Sequence, residues 1–214
     1  MLPRFYQIVD RAAWLPRLLP VGLKLVQLRV KDLAGPALDT EIATALEACW
    51  AAGAILIVND HWRQAIDAKA DWIHLGQEDL ATADLAAIRR AGLKLGVSTH
   101  SHEELETALA ADPDYVALGP VYPTTLKVMP WAPQGLDRVR EWKRLIGRRP
   151  LVAIGGLTLE RAEGVAAAGA DVLSVVSDVL ANPSPEARLA AWLSAADRWP
   201  TGPVTDDGAA LRTP

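Results

Sequence analysis

Short runs of apolar and β-branched residues recur along the chain, at 5–9, 25–30, 55–58, 72–75, 94–97, 115–118, 151–154 and 172–176. Most are near-continuously apolar rather than alternating, which is the pattern of parallel strands covered on both faces. Between them lie stretches rich in Ala, Leu, Arg and Glu that predict helices over 39–52, 82–91, 102–111, 136–145, 159–168 and 185–196. Three of these close on Ala52-Gly53, Ala91-Gly92 and Ala168-Gly169, where glycine is the usual helix stop. Strand and helix alternating through eight units predict an α/β protein, a single-domain (β/α)8 TIM barrel over 1–198. A doubly wound open sheet is the alternative, but it more often has about five or six strands, and neither a GxGxxG after the first strand nor a Walker P-loop is present. From 199 onward (WPTGPVTDDGAALRTP) the periodicity is lost, which predicts a disordered tail over 199–214.

Composition narrows the class. Of 214 residues, 50% are hydrophobic and 22% charged, which excludes a disordered or fibrous chain. The formal net charge is −4 and no long Lys/Arg run forms a patch, so nucleic acid is not an expected partner. Cys49 is the only cysteine and sits in an apolar helical stretch, so it reads as a core thiol, and no disulfide framework or cysteine-rich zinc site can form within the chain. The start, MLPRFYQIVD, has no signal-peptide core, and no apolar run approaches the roughly 20 residues of a membrane span. A cytoplasmic protein without membrane contact is expected, and its homo-oligomeric state is left open.

Catalytic groups of such barrels sit where strands end and the following loops begin. In the second run, Gln27, Arg29 and Lys31 are spaced by two and share one face, the inner one, while Val26, Leu28 and Val30 share the other. Two cations buried there call for an anionic partner, and phosphate suits both. The third run ends in Asn59-Asp60 and the fourth is followed by Gly76-Gln77-Glu78-Asp79. Asp60 and Asp79 read equally well as helix caps or as a carboxylate pair for Mg²⁺, which is usually held by one or two carboxylates plus substrate oxygens. Ser98 and Thr99 end the fifth run, and a long loop after the sixth carries Pro120, Pro123, Thr124, Thr125, Lys127, Pro130 and Pro133. Loops of that length in compact domains are often lids or binding loops, against the plainer reading of a proline-stiffened surface loop. Gly155-Gly156 after the seventh run and Val176-Ser177 after the eighth match the frequent phosphate site of these barrels. His74, His100 and Trp131 have no settled role; a satisfied core histidine, a helix start and a shield over the site are their respective readings.

Together these segments resemble the thiamine-phosphate synthase family. The resemblance is carried in order by VQLRVKD at 26–32, VND at 58–60, ADWIHLGQEDL at 70–80, GVSTH at 96–100, DYVALGPVYPTTLK at 114–127, VAIGGL at 152–157 and VVSDV at 175–179. It implies a (β/α)8 barrel that joins hydroxymethylpyrimidine diphosphate to hydroxyethylthiazole phosphate and releases pyrophosphate. By position, it implies that Gln27, Arg29, Lys31, Asn59, Ser98 and Lys127 hold the pyrimidine diphosphate, with Arg29, Lys31, Ser98 and Lys127 assisting the chemistry. It implies Asp60 and Asp79 as Mg²⁺ ligands, and Thr124, Thr125, Gly156, Val176 and Ser177 around the thiazole phosphate. The family loop reads Pro-Thr-any-Thr-Lys, whereas here Leu126 occupies the second threonine position, so one hydroxyl contact is lost unless Thr125 substitutes.

The implied reaction needs no general base, because the thiazole nitrogen attacks without a proton to lose, and no Ser-His-Asp or Cys-His arrangement is evident. Three alternatives carry different chemistry. A thiazole tautomerase would need the phosphate half of the site but not the cations and carboxylates. A catalytically silent thiamine-phosphate-binding regulator is kept open by Leu126. A phosphosugar isomerase rests on the barrel alone and lacks an obvious base.

Overall fold

A parallel strand that is apolar on both faces must be covered on both. The computed structural model, which describes residues 1–124 and 132–200, shows how this chain does it. The strands β1 (Phe5–Val9), β2 (Leu25–Leu28), β3 (Ile55–Asn59), β4 (Trp72–Leu75), β5 (Lys94–Thr99), β6 (Tyr115–Leu118), β7 (Leu151–Ile154) and β8 (Val172–Val175) pair in sequence order. β8 returns to β1 and closes a parallel barrel. Helices α1 (Leu15–Leu18), α2 (Gly35–Ala51), α3 (Trp62–Asp67), α4 (Gln77–Thr82), α5 (Leu85–Arg90), α6 (His102–Ala110), α7 (Gly135–Ile146), α8 (Leu159–Ala167), α9 (Ser177–Leu180) and α10 (Pro185–Ala196) follow the strands.

Alternation along each strand sorts the side chains into two layers. Outward residues such as Val26, Leu28, Val58, Ile73, Val97, Val116 and Leu173 pack under the helices in the main core. Inward residues form a smaller cluster within the barrel, with Tyr6, Leu25, Ile57, Trp72, Tyr115, Val152 and Val172 closing its lower part. Toward the C-terminal ends of the strands the inward positions turn polar: Gln27, Asn59 and His74 are all buried. The apolar lower layer is thus a plug, and the polar layer above it is the floor of a site.

Three expectations change. The helix expected over 82–91 is two helices, α4 and α5, because the Asp84 side chain accepts a bond from the Ala87 N–H at 2.9 Å and restarts the helix. The short α1, α3 and α9 were not anticipated, since each is too brief to show helical periodicity. The packed chain also runs past 199. Trp199 is buried edge-on to Trp192 with ring centroids 6.2 Å apart, and Arg4 donates to the carbonyls of Trp199 and Pro200 at 2.6 and 2.7 Å. A tryptophan with its carbonyl pinned belongs to the barrel, so a tail starting at 199 is placed too early; 201–214 lie outside the described residues.

Cys49 is buried in the core, and burial pushes its thiol up to about 11, consistent with a packing role. Outside the barrel, the buried Trp142 of α7 donates from Nε1 to Thr99 Oγ1 at 2.8 Å, and that hydroxyl donates to the Ala117 carbonyl at 2.9 Å. Thr99→Val keeps the shape and strands both partners. We expect a loss of about 1–3 kcal/mol in denaturant unfolding; an unchanged midpoint would show that the pair contributes nothing to stability.

Candidate active site

β2 brings the first cluster to the barrel mouth. Ladder bonding continues one residue past the strand, with the Arg29 N–H donating to the Val9 carbonyl at 2.8 Å. Gln27 points inward, buried, and donates from Nε2 to the Tyr6 hydroxyl at 2.7 Å. Arg29 and Lys31 are exposed. The expectation that both cations lie buried within the barrel is therefore corrected. The strand ends at Leu28, so the alternation carries them to the rim, where water solvates them and a ligand can reach them.

Asp60 lies across from Lys31 and forms an ion pair with it. It also accepts from Asn59 Nδ2 at 2.5 Å, and its backbone N–H donates to the His74 carbonyl at 2.9 Å. Its φ of 65° is unusual for a residue other than glycine. Asp79, in the first turn of α4, lies close enough to Asp60 for the two carboxyls to influence each other's charge. Neither is a helix cap: His61 and Gly76 occupy the caps of α3 and α4, and neither cap makes a side-chain bond. Burial works to raise the Asp60 carboxyl, but the bonded Lys31 ammonium outweighs it and the net shift is downward. Asp79 is raised, first by burial and then by the charge of Asp60. Two carboxylates thus share a place where one of them resists ionising, the electrostatic condition that a divalent cation relieves. Among the described residues no cluster of three or more His, Cys, Asp or Glu can hold a metal ion. A cation here would take its remaining ligands from water or substrate, as Mg²⁺ commonly does.

Beneath the mouth lies a connected set of polar groups. His74 is flanked by Tyr115 Oη at 2.7 Å from Nδ1 and by Ser98 Oγ at 2.8 Å from Nε2. Burial pushes the imidazole down to about 4, with the nearby Arg29 charge acting in the same direction and Asp60 opposing. Gln77 donates to the Ser98 carbonyl at 2.7 Å and steadies the end of β5. Tyr6, Tyr115 and Gln77 were missed from the sequence. The two tyrosines stand in runs that read as core, and the available signal was their inward register beside Gln27 and His74. His100 opens the loop before α6, where its N–H and Nδ1 both meet Glu104 Oε2 at 2.7 Å.

The opposite side of the mouth is made of backbone. Gly156 (φ 63°) sits so close to the β6 loop that a Cβ there would lie 2.4 Å from the Pro123 carbonyl oxygen. Tyr122 N–H donates to the Gly155 carbonyl at 3.0 Å, and Arg161 stacks on the Tyr122 ring while donating to the Gly156 carbonyl at 2.6 Å. Val176 caps α9 and Ser177 opens it, exposed. Thr124 is half-buried beside this loop. Thr125, Leu126, Lys127 and Trp131 lie outside the described residues. On either side of them the chain is tied together, Gln134 N–H to Pro120 O at 2.8 Å and Gly135 N–H to Val121 O at 3.0 Å.

Comparison with known proteins agrees with this geometry. The family model for thiamine monophosphate synthase matches residues 6–179. The thiamine-phosphate synthase of Rhizobium etli is 62% identical over 198 residues, 92% of this chain and 97% of that protein. That of Neisseria meningitidis serogroup A is 49% identical over 189 residues, covering 88% and 92%. Among solved structures, the thiamine phosphate pyrophosphorylase of Pyrococcus furiosus superposes with a TM-score of 0.80 at 25% identity, covering 91% of this chain and 96% of that one.

The carboxylate pair has a measurable signature. A carboxyl raised on folding holds its proton more tightly in the folded state. Its stabilising contribution is complete below the unfolded value, about 3.9, and is lost as pH rises through the folded value. Asp79→Asn cannot ionise. In metal-free buffer at pH 7 it should unfold at a higher temperature than the parent, and the gap should close as pH falls below about 4. A gap independent of pH would mean that the two charges do not repel.

Proposed function

We propose that this chain, which belongs to the thiamine monophosphate synthase family, couples 4-amino-2-methyl-5-hydroxymethylpyrimidine diphosphate to 4-methyl-5-(2-hydroxyethyl)thiazole phosphate. The products are thiamine phosphate and pyrophosphate. The enzyme is thus a transferase of a pyrimidinylmethyl group. One observation carries the reading: two rim cations and two facing carboxylates converge over a polar, water-poor floor, opposite a glycine-lined loop junction.

The geometry suits the chemistry. The thiazole nitrogen is already a nucleophile, so forming the new C–N bond requires no base. The C–O bond to the diphosphate breaks with its electron pair leaving on pyrophosphate, and the aminopyrimidine can carry the positive charge left on its methylene carbon. Arg29 and Lys31 would neutralise that growing negative charge. Asp60 and Asp79 would hold Mg²⁺, which supplies further charge neutralisation to the leaving group. Gln27, Asn59 and Ser98 would orient the pyrimidine end. Gly156, Val176, Ser177 and the segment Thr124, Thr125, Leu126, Lys127 would receive the thiazole phosphate and, through Lys127, the diphosphate. Keeping water from the cationic carbon favours coupling over hydrolysis, and aligning the two rings supplies the remaining advantage. Both substrates are multiply charged phosphate esters, which fits a cytoplasmic site of action; among the described residues no helix is long and apolar enough to cross a membrane. A thiazole tautomerase would use only the phosphate side, so the rim cations and paired carboxylates speak for coupling.

The direct test supplies both precursors with and without Mg²⁺ and follows thiamine phosphate and pyrophosphate together. We expect equal amounts of both products, dependent on the metal. Absence of product from well-folded protein would end the reading. Asp60→Asn and Arg29→Ala should each lower turnover by at least about a hundredfold, as expected for losing stabilisation of a leaving anion; near-normal rates would remove their assigned roles. Leu126→Thr should lower KM for thiazole phosphate by about tenfold, the value of one charge-assisted hydrogen bond. An unchanged KM would mean that Thr125 already supplies the contact.

A further inference from the structure

We infer that Tyr6, Tyr115 and His74 are positioning residues, a directed hydrogen-bond relay that holds the Ser98 hydroxyl as a donor facing the barrel mouth. The inference rests on the proposed reaction only for the identity of the acceptor, a diphosphate oxygen of the pyrimidine substrate.

The direction follows from counting protons. Gln27 presents its amide nitrogen to Tyr6 Oη at 2.7 Å, so Tyr6 accepts there. The Tyr6 proton then goes to Tyr115 Oη, 3.2 Å away. Tyr115 in turn donates to His74 Nδ1 at 2.7 Å. A neutral imidazole that accepts at Nδ1 carries its proton on Nε2, and Nε2 is 2.8 Å from Ser98 Oγ. Ser98 therefore accepts from below and keeps its own proton for a group above. The register agrees: His74 is paired with Gly96, and Ser98 lies two residues further toward the open end. Run in reverse, the relay would need Tyr6 to donate to an amide nitrogen, which accepts nothing. Both phenols are fully buried and burial holds their protons on, so each has a proton to give.

The chain makes space for this arrangement. A Cβ at position 96 would lie 2.0 Å from Tyr115 Cζ and 2.4 Å from its Oη, so only glycine lets the phenol reach His74. The His74 and Tyr115 rings stack, 5.6 Å apart and 17° from parallel, which holds the reach in place. A diphosphate offers only acceptors. A serine free to rotate would turn a lone pair toward that anion part of the time, and the relay removes this orientation.

The first test needs neither substrate nor variant. In metal-free protein carrying ¹⁵N-histidine, the His74 ring should show a protonated Nε2 and a bare Nδ1. A proton on Nδ1, or on both nitrogens, at neutral pH overturns the relay. The second test is a kinetic cycle. Tyr115→Phe should lower kcat/KM for the pyrimidine diphosphate by about tenfold, the scale of one hydrogen bond to a charged group, and leave KM for thiazole phosphate in place. Added to Ser98→Ala, it should cost nothing more; if the two effects multiply, Tyr115 acts through packing and not through Ser98. Should Tyr115→Phe fold poorly, Tyr6→Phe breaks the same relay one step earlier and is read in the same way. If no coupling activity exists at all, the proposed reaction fails, while the ring measurement still decides the relay.

Discussion

Polar groups inside a closed barrel have no bulk water beneath them and no open edge beside them, so the bonds they make are chiefly with one another. That constraint shapes the site described above. The lower inward layer, Tyr6, Leu25, Ile57, Trp72 and their neighbours, fills the barrel with apolar bulk and leaves nothing to solvate. The upper layer, Gln27, Asn59, His74 and Ser98, cannot be apolar if it is to meet a polar ligand, and so it is cross-bonded. A buried donor or acceptor without a partner costs about 1–3 kcal/mol; the network avoids that cost, which Ser174 Oγ and Gln7 Oε1 still bear among the described residues. The tyrosine hydroxyls connect the two layers, with their rings in the plug and their oxygens in the network.

The same constraint explains why charge stays at the rim. Two cations deep within the barrel would each be stripped of water with no fixed counter-ion for both. Instead β2 ends before Arg29 and Lys31, and Lys31 meets Asp60 at the surface of the opening. The second carboxylate, Asp79, then has a like charge beside it and a raised proton affinity. Lys31 is committed to Asp60, which leaves Asp79 without a cation of its own and Arg29 exposed at the rim.

The opposite side of the mouth depends on close backbone approach rather than on side chains. Gly155 and Gly156 let the end of β7 touch the loop leaving β6, and Arg161 clasps that junction from outside through Tyr122 and the Gly156 carbonyl.

How much of this was readable from the amino-acid order varies with the range of the forces involved. Strand positions, their closure into a barrel and the inward register of Gln27 follow from apolar periodicity, a local property that each segment carries alone. The rim residues Arg29, Lys31, Asp60 and Asp79 could be named because strand ends in a barrel converge whatever the loops do. The division of 82–91 at Asp84 and the packing of Trp199 could not, since one depends on a single side-chain cap and the other on Arg4, far away in the chain. Neither could the roles of Tyr6, Tyr115 and His74. A phenol in an apolar run looks like packing, and only the closed barrel, which sets β1 across the interior from β4 and β6, brings those hydroxyls and the imidazole within bonding distance.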